Sequence, residues 1–266
     1  MDLDAYLERI GVSPGAGLAE VHRAHVTSIP FENLDSHQGV PVSLKLEDLE
    51  RKLVAGHRGG YCFEHNLLFA AALDALGLRA EPMLARVRLG RPPGTPHPRT
   101  HLVHRVQGED GVWLADVGFG NGTLLEPIPF GPGAEYEQSG WRFRIAQDGA
   151  EHVLQTLDDA EWVDVYGFVP EPVPFVDIDM SNWFTCTNPR SPFVGGLILA
   201  VNRPDGTRVA LSDWNGLSLT TRTPAERTVS EPAREDIPQL LETVFGLPGF
   251  VLGDHGRITR RAPHSE

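Results

Sequence analysis

A chain of 266 residues with 41% hydrophobic and 22% charged residues carries enough apolar surface for one compact unit of two or three subdomains, with no compositional sign of disorder. Its formal net charge of −13 excludes an extended phosphate-binding surface, so nucleic acid is not an expected partner. No run approaches the ~20 apolar residues of a membrane span, MDLDAYLERIGV lacks the regions of a signal peptide, and two cysteines, Cys62 and Cys186, make no disulfide framework; the expected compartment is the cytoplasm.

The first ~80 residues read as helical. Leu3, Tyr6, Leu7 and Ile10 fall at helical spacing, with Asp2 as N-cap and Gly11 as the stop. Leu18, Val21, His25 and Ile29 repeat the pattern up to Pro30, and Leu46, Leu49 and Leu53 do so again before Gly56. The run LLFAAALDAL from Leu67 to Leu76, closed by Gly77, reads as a buried helix. From about Pro82 the texture changes to short strand-like runs, MLARVRL, HLVHRV, VWLADV, WRFRIAQ and HVLQTL, separated by Gly- and Pro-rich turns. That pattern predicts an antiparallel sheet or small barrel. RPPGTPHPR, from Arg91 to Arg99, predicts a surface loop. After Pro192 the run FVGGLILAV, a polar turn near Asp205–Gly206 and a last helix around Ile237–Phe245 suggest a smaller α/β portion. Helices, then sheet, then a mixed segment define the α+β class.

In HRGGYCFEHN, from His57 to Asn66, a cysteine stands where a loop becomes a helix. The two glycines suit a tight turn, and Cys62 falls at or near the first helical turn. Unpaired N–H groups and the dipole there favour a thiolate; taken alone, Cys62 reads equally as a small buried hydrophobe. THLVHRV and VWLADVG (Thr100–Val106 and Val112–Gly118) read as a hairpin. A four-residue loop at Gln107–Asp110 would set Val106 against Gly111 and His101 directly opposite Asp116, side chains on one face. A five-residue loop would separate the faces. A buried Asp needs a hydrogen-bonding partner, and His serves. As a structural pair the two require no catalysis; joined to Cys62 they meet the nucleophile, base and orienter pattern. Spacing alone leaves both readings open.

At these residues the sequence resembles the arylamine N-acetyltransferases. RGGYCFEHN is similar to that family's cysteine motif, THLVHRV to its histidine strand and LADVGFG to its aspartate strand. IPFENLD (Ile29–Asp35) and DIDMSNWFTCTNPRSPF (Asp177–Phe193) match two further segments, and the match in order and spacing extends from Met1 to about Leu199. The resemblance implies a helical bundle over residues 1–81, an antiparallel β-barrel over 82–190 and an α/β lid over 191–266, a scaffold of cysteine-protease type. It implies a ping-pong reaction with acetyl-coenzyme A as co-substrate, no permanently bound cofactor, and arylamines, hydrazines or arylhydroxylamines as acceptors. It further implies Cys62 as nucleophile, His101 as base, Asp116 as orienter, and Phe31, Phe119 and Phe193 as the acceptor pocket, although each phenylalanine could equally be core. Gly118, Gly120 and Gly122 in GFGNG are candidate coenzyme contacts.

Two rival enzymes share the pattern. One is another Cys-His-Asp acyltransferase or hydrolase; the other is a related amide synthase that closes macrolactams from a polyketide thioester. Cys62 and His65 make only half of a metal ligand set, with no CxxC or HxxxH partner, so no metal is expected. A structural ion pair is the reading for Glu32 and Arg58, a packing role for Cys186, and a structural role for His65.

Overall fold

The computed structural model describes residues 1–261 except 93, 109, 254 and 255. Helix α1 (Leu3–Ile10) starts where the Asp2 carboxylate accepts the Ala5 N–H at 3.0 Å and ends at Gly11, whose φ of 73° is open to glycine. α2 (Leu18–Ser28) stops at Ile29, ahead of Pro30. A two-residue strand β1 (Phe31–Glu32) and the short helices α3 (Leu34–His37) and α4 (Leu46–Leu49) follow, and α4 runs on into a π-helical stretch, Glu50–Ala55, before Gly56. The expected helix over Leu46–Leu53 is therefore present but widens halfway. α5 (Cys62–Ala75) begins at the cysteine itself and buries residues around its whole circumference, as the run ahead of Gly77 predicts.

Eight strands form one antiparallel sheet curled into a nearly closed barrel: β2 (Arg79–Val87), β3 (His101–Gly108), β4 (Gly111–Ala115), β5 (Ile128–Pro129), β6 (Glu135–Gln138), β7 (Trp141–Asp148), β8 (Glu151–Asp158) and β9 (Glu161–Phe168). Their order is β5-β4-β3-β2-β9-β8-β7-β6. α6 (Phe175–Thr187) and α7 (Pro192–Gly195) lead out of the barrel. Next come β10 (Ile198–Asn202), β11 (Arg208–Ser212), β12 (Ser218–Arg222) and β13 (Arg227–Ser230). With β1 at one edge they form a five-stranded antiparallel sheet, β1 pairing with β10 through Phe31–Ala200 and Glu32–Leu199. α8 (Ile237–Thr243) and the hairpin of β14 (Phe250–Leu252) and β15 (Ile258–Arg260) complete the α+β fold.

The hairpin carrying His101 corrects one expectation. Gly108 pairs with Gly111 and His104 with Ala115, so the ladder closes nearer its turn than a four-residue loop allows. The register is displaced by two residues, and His101 and Asp116 are diagonal neighbours instead of direct partners. Because side chains alternate with period two, a shift of two preserves the face.

The largest apolar cluster joins α1, α2 and α5 to the barrel interior; a second fills the space between the five-stranded sheet and α8. A third surrounds Cys62 and draws on Phe31, Tyr61, Leu102, Ile178 and Ala200 from all along the chain. Buried polar groups are wired through the first cluster. The Tyr6 hydroxyl donates to His25 Nδ1 at 2.8 Å, His25 Nε2–H to His65 Nδ1 at 2.9 Å, and His65 Nε2–H to the Pro30 carbonyl at 3.2 Å. This chain uses only neutral imidazoles, and it gives His65 the structural role expected.

Burial pushes His22, His65 and His104 down to about 4 and His25 well below its usual value. Their folded values lie below the unfolded 6.5, so the stability they protect is whole above pH 6.5 and is lost as pH falls through about 4. Glu64, raised by burial to about 7, acts in the opposite sense between pH 4.5 and 7 and offsets one of the four. Thermal melts are expected to be flat above pH 7 and to fall steadily from pH 6.5 to pH 4.5, by up to about 1.4 kcal/mol per pH unit for each uncompensated histidine. A melting temperature unchanged between pH 6.5 and 4.5 would rule out the neutral wiring.

Candidate active site

The start of α5 is fixed by close packing. Neither Gly59 nor Gly60 has a left-handed backbone, contrary to the tight turn expected of them; both are required by proximity. A Cβ on Gly59 would meet the Pro30 carbonyl oxygen at 2.0 Å, and one on Gly60 would meet the Glu64 side chain at 2.8 Å. Backbone bonding reinforces the approach, with Glu32 N–H donating to the Gly60 carbonyl at 2.7 Å. The Glu64 carboxylate in turn accepts the Tyr61 N–H at 3.0 Å, closing the first turn of α5 immediately around Cys62.

Beneath this loop lies a network of charges. Arg58 spans Glu32 at 2.6 Å and Asp35 at 2.9 Å, and Lys52 spans Asp35 and Glu64, both at 2.7 Å. Glu32 is completely buried and Arg58 nearly so, which makes the expected Glu32–Arg58 ion pair a structural brace for the segment that delivers the cysteine.

His101 opens β3 and Asp116 lies just past the end of β4. His101 Nε2–H donates to Asp116 Oδ2 at 2.7 Å. The other carboxylate oxygen accepts from Asn66 Nδ2 at 3.0 Å and from the Gly118 N–H at 2.9 Å. Burial alone would raise the Asp116 carboxyl, but His101 and these donors hold it below its ordinary value. Its own N–H donates to His22 Nε2 at 3.2 Å, and its carbonyl accepts from the Thr123 hydroxyl at 2.9 Å. The His101 ring packs against Phe119, with centroids 5.1 Å apart and planes nearly perpendicular, and against Tyr166 at 4.9 Å.

Cys62 and His101 line one cavity of about 490 Å³, together with Phe31, Phe119, Phe193, Thr100 and Gly118. The three phenylalanines named from the sequence are thus all at its wall. Among the described residues its charged lining is Arg91 and Arg190, both cationic in an acidic chain. Of the glycine run only Gly118 reaches the cavity. It must be glycine because a Cβ there would lie 2.8 Å from Cys62 Cα and 2.7 Å from Asn66 Nδ2. Gly120 and Gly122 are not among the lining residues, and their φ values of 78° and 119° account for them as backbone requirements. The Cys62 thiol sits 3.5 Å from the Thr100 carbonyl. Burial pushes it up, and the Asp116 charge adds to this, so the helix start does not by itself make a thiolate as the sequence suggested. Cys186 is a buried packing residue near Tyr61. Among the described residues, no three His, Cys, Asp or Glu side chains are grouped to hold a metal ion.

Two participants were not singled out in the sequence. Asn66 stands four residues after Cys62 on α5, the spacing that puts both on one helix face, so its role was legible in principle. Tyr166, on β9, reaches His101 across the intervening strand β2, through the long-range pairing of β2 with β9, and carries no local signal.

Comparison with known proteins matches this geometry to a family. The solved structure of Mycobacterium marinum arylamine N-acetyltransferase in complex with CoA superposes with a TM-score of 0.87 at 34% identity, covering 92% of this chain and 93% of that one. The arylamine N-acetyltransferase of Mycolicibacterium smegmatis is 38% identical over 264 residues, 96% of this chain and 94% of that protein. The arylamine N-acetyltransferase / N-hydroxyarylamine O-acetyltransferase of Salmonella typhimurium is 35% identical over 253 residues, 92% and 88%. The sequence profile of the N-acetyltransferase family matches residues 16–248. The chain belongs to the N-acetyltransferase family.

The brace under Cys62 has a measurable weight. Arg58→Met is expected to lower unfolding stability by about 3–5 kcal/mol by leaving Glu32 buried and unpaired, with Glu32→Met in the same chain recovering most of it. Urea denaturation of the parent and the two variants checks this; a single variant as stable as the parent would show the pair holds nothing.

Proposed function

We propose that this protein transfers the acetyl group of acetyl-coenzyme A to the nitrogen of arylamines, hydrazines or arylhydroxylamines through an acetyl-cysteine at Cys62. The observation that carries the reading is the meeting of Cys62 with the His101–Asp116 pair at one aromatic-walled cavity in a chain of this family. With Nε2 committed to Asp116, His101 moves protons through Nδ1. It takes the Cys62 proton as sulfur attacks the acetyl carbonyl, and the proton passes to the departing coenzyme thiolate. The thiol is too poorly acidic in its buried setting to ionise alone, so the thiolate exists only opposite the imidazolium. One thioester replaces another, a nearly thermoneutral exchange. In the second half the unprotonated amine attacks, the C–N bond forms, the C–S bond breaks, and His101 carries the amine proton to Cys62. Proton transfer by His101 contributes roughly 10²–10⁴-fold.

Asp116 fixes the His101 tautomer and orientation. Phe31, Phe119 and Phe193 supply a flat apolar wall for an aromatic acceptor, and Gly118 gives the acyl group close backbone approach. Arg91 and Arg190 give the cavity a positive field suited to a phosphorylated co-substrate. Residues 1–81, 82–190 and 191–266 act as three units supplying cysteine, His–Asp pair and lid, and we assign the protein to the cytoplasm. No helix among the described residues is long and apolar enough to cross a membrane.

Incubated with acetyl-coenzyme A alone, the protein is expected to gain one acetyl group by intact mass, lost on adding an arylamine or hydrazine and absent in Cys62→Ala. No adduct in the parent chain would overturn the acetyl donor and turn attention to larger acyl thioesters. Asp116→Asn, which presents the wrong tautomer to His101, is expected to slow acetylation of Cys62 by about 10³–10⁴-fold, measured by quenched-flow mass spectrometry; a near-parental rate would remove Asp116 from the mechanism.

A further inference from the structure

The segment IPFENLD does more than supply half of a buried ion pair. Asn33 is the N-cap residue of α3, where an Asn side chain ordinarily accepts an N–H of its own helix. It makes no such bond, and the Glu32 carboxylate takes the Leu34 N–H at 2.7 Å. The Asn33 amide is spent instead on a stretch that begins 160 residues further along the chain. Its Nδ2 donates to the carbonyls of Phe193 and Gly196, each at 2.8 Å, and its Oδ1 accepts the Ile198 N–H at 2.7 Å. Two more side chains hold the same turn. His37 Nδ1–H donates to the Gly196 carbonyl at 3.2 Å, and Asp213 accepts the Leu197 N–H at 2.6 Å. The stretch carries Phe193 and Ile198 to the cavity wall, and none of the four residues of α7 is buried, so core packing does little to place it. Asn33 is itself buried and is not among the residues lining the cavity.

We propose that Asn33 is a positioning residue for the acceptor. By pinning Phe193 and Ile198 it sets the Phe193 ring against Phe31, with centroids 6.2 Å apart, and against Tyr61 at 5.5 Å. It thereby gives the cavity its preference for flat aromatic amines over small nucleophiles. The inference rests on the acetyl-transfer reading above. Only an amide brings two donors and an acceptor to these three backbone groups at this side-chain length. An Asp would set a carboxylate against two carbonyl oxygens, and a Ser is too short to span the turn. The hydrogen bonds of Cys62, His101 and Asp116 involve none of these groups. Displacing Phe193 therefore alters the aromatic wall and leaves the acetylation machinery in place.

The test compares three rates in the full chain: acetylation of Cys62 by acetyl-coenzyme A, transfer to aniline, and transfer to hydrazine, which is too small to need an aromatic wall. Asn33→Asp is expected to lower kcat/KM for aniline about tenfold, through KM, and to leave acetylation and hydrazine transfer within about twofold of the parent. Because Asn33 acts through Phe193, Asn33→Asp/Phe193→Ala is expected to lose no more aniline transfer than Phe193→Ala alone. An unchanged KM for aniline, or losses that add in the double variant, overturns the inference. An equal loss in all three rates also overturns it, since Asn33 would then serve the fold alone. Asn33→Ser, which buries no charge, replaces Asn33→Asp with the same expected split if the charged variant does not fold. A parent chain that takes no acetyl group overturns the acetyl-transfer reading and this inference with it, whereas normal acetylation without the split overturns this inference only.

Discussion

Asp116 is a fully buried carboxylate, and much of the surrounding architecture answers to it. An ionised group removed from water is tolerable only when donors replace its hydration shell. Those donors come from separate parts of the chain: His101 from β3, Asn66 from α5 and the Gly118 N–H from the loop beyond β4. His22 on α2 accepts the Asp116 N–H and is tied by its other nitrogen to Leu125. Bundle and barrel are thereby held in one relative position. Asn66 serves twice, since it also donates to the Leu102 carbonyl beside His101 and accepts the Val117 N–H.

The cysteine is handled differently. Its helix start is held from below by carboxylates and cations in alternation: Glu32, Arg58, Asp35, Lys52, Glu64. Each member is shared by two elements, so the loop cannot shift without exposing or unpairing a buried charge. Lys52 is one of two lysines in the chain, and it is nearly enclosed. Position is therefore secured by electrostatics, while the reactivity of sulfur is left to the imidazole across the cavity.

Where a signal is local, the sequence was readable. Asp2 and Gly11 bracket α1, and the glycine pair and aliphatic run announce α5, because caps and helical periodicity are set within a few residues. The register of β3 and β4 was misjudged by two, yet the shared face of His101 and Asp116 survived because side-chain direction repeats every two residues. β1 was invisible: two residues have no periodicity, and their partners lie in β10. Tyr166 was missed because β9 comes within reach of β3 only through its long-range pairing with β2. α6 was hidden for a different reason. Its apolar residues point outward, so a reading that places hydrophobic residues inside assigns its faces the wrong way round.

The pairing of β1 with β10 has a consequence for how the molecule comes into being. Phe31 and Ala200 stand side by side on the cavity wall although roughly 170 residues separate them, and closing a loop of that length costs about 4–5 kcal/mol of chain entropy. Cys62, His101 and Asp116 all leave the ribosome long before β10 does. A nascent chain can thus own every reactive atom while one wall of the chamber is still unmade, and the chamber is completed only when the late sheet reaches back to the strand beside Pro30. Synthesis order alone keeps the thiol out of a finished pocket until the fold is nearly whole.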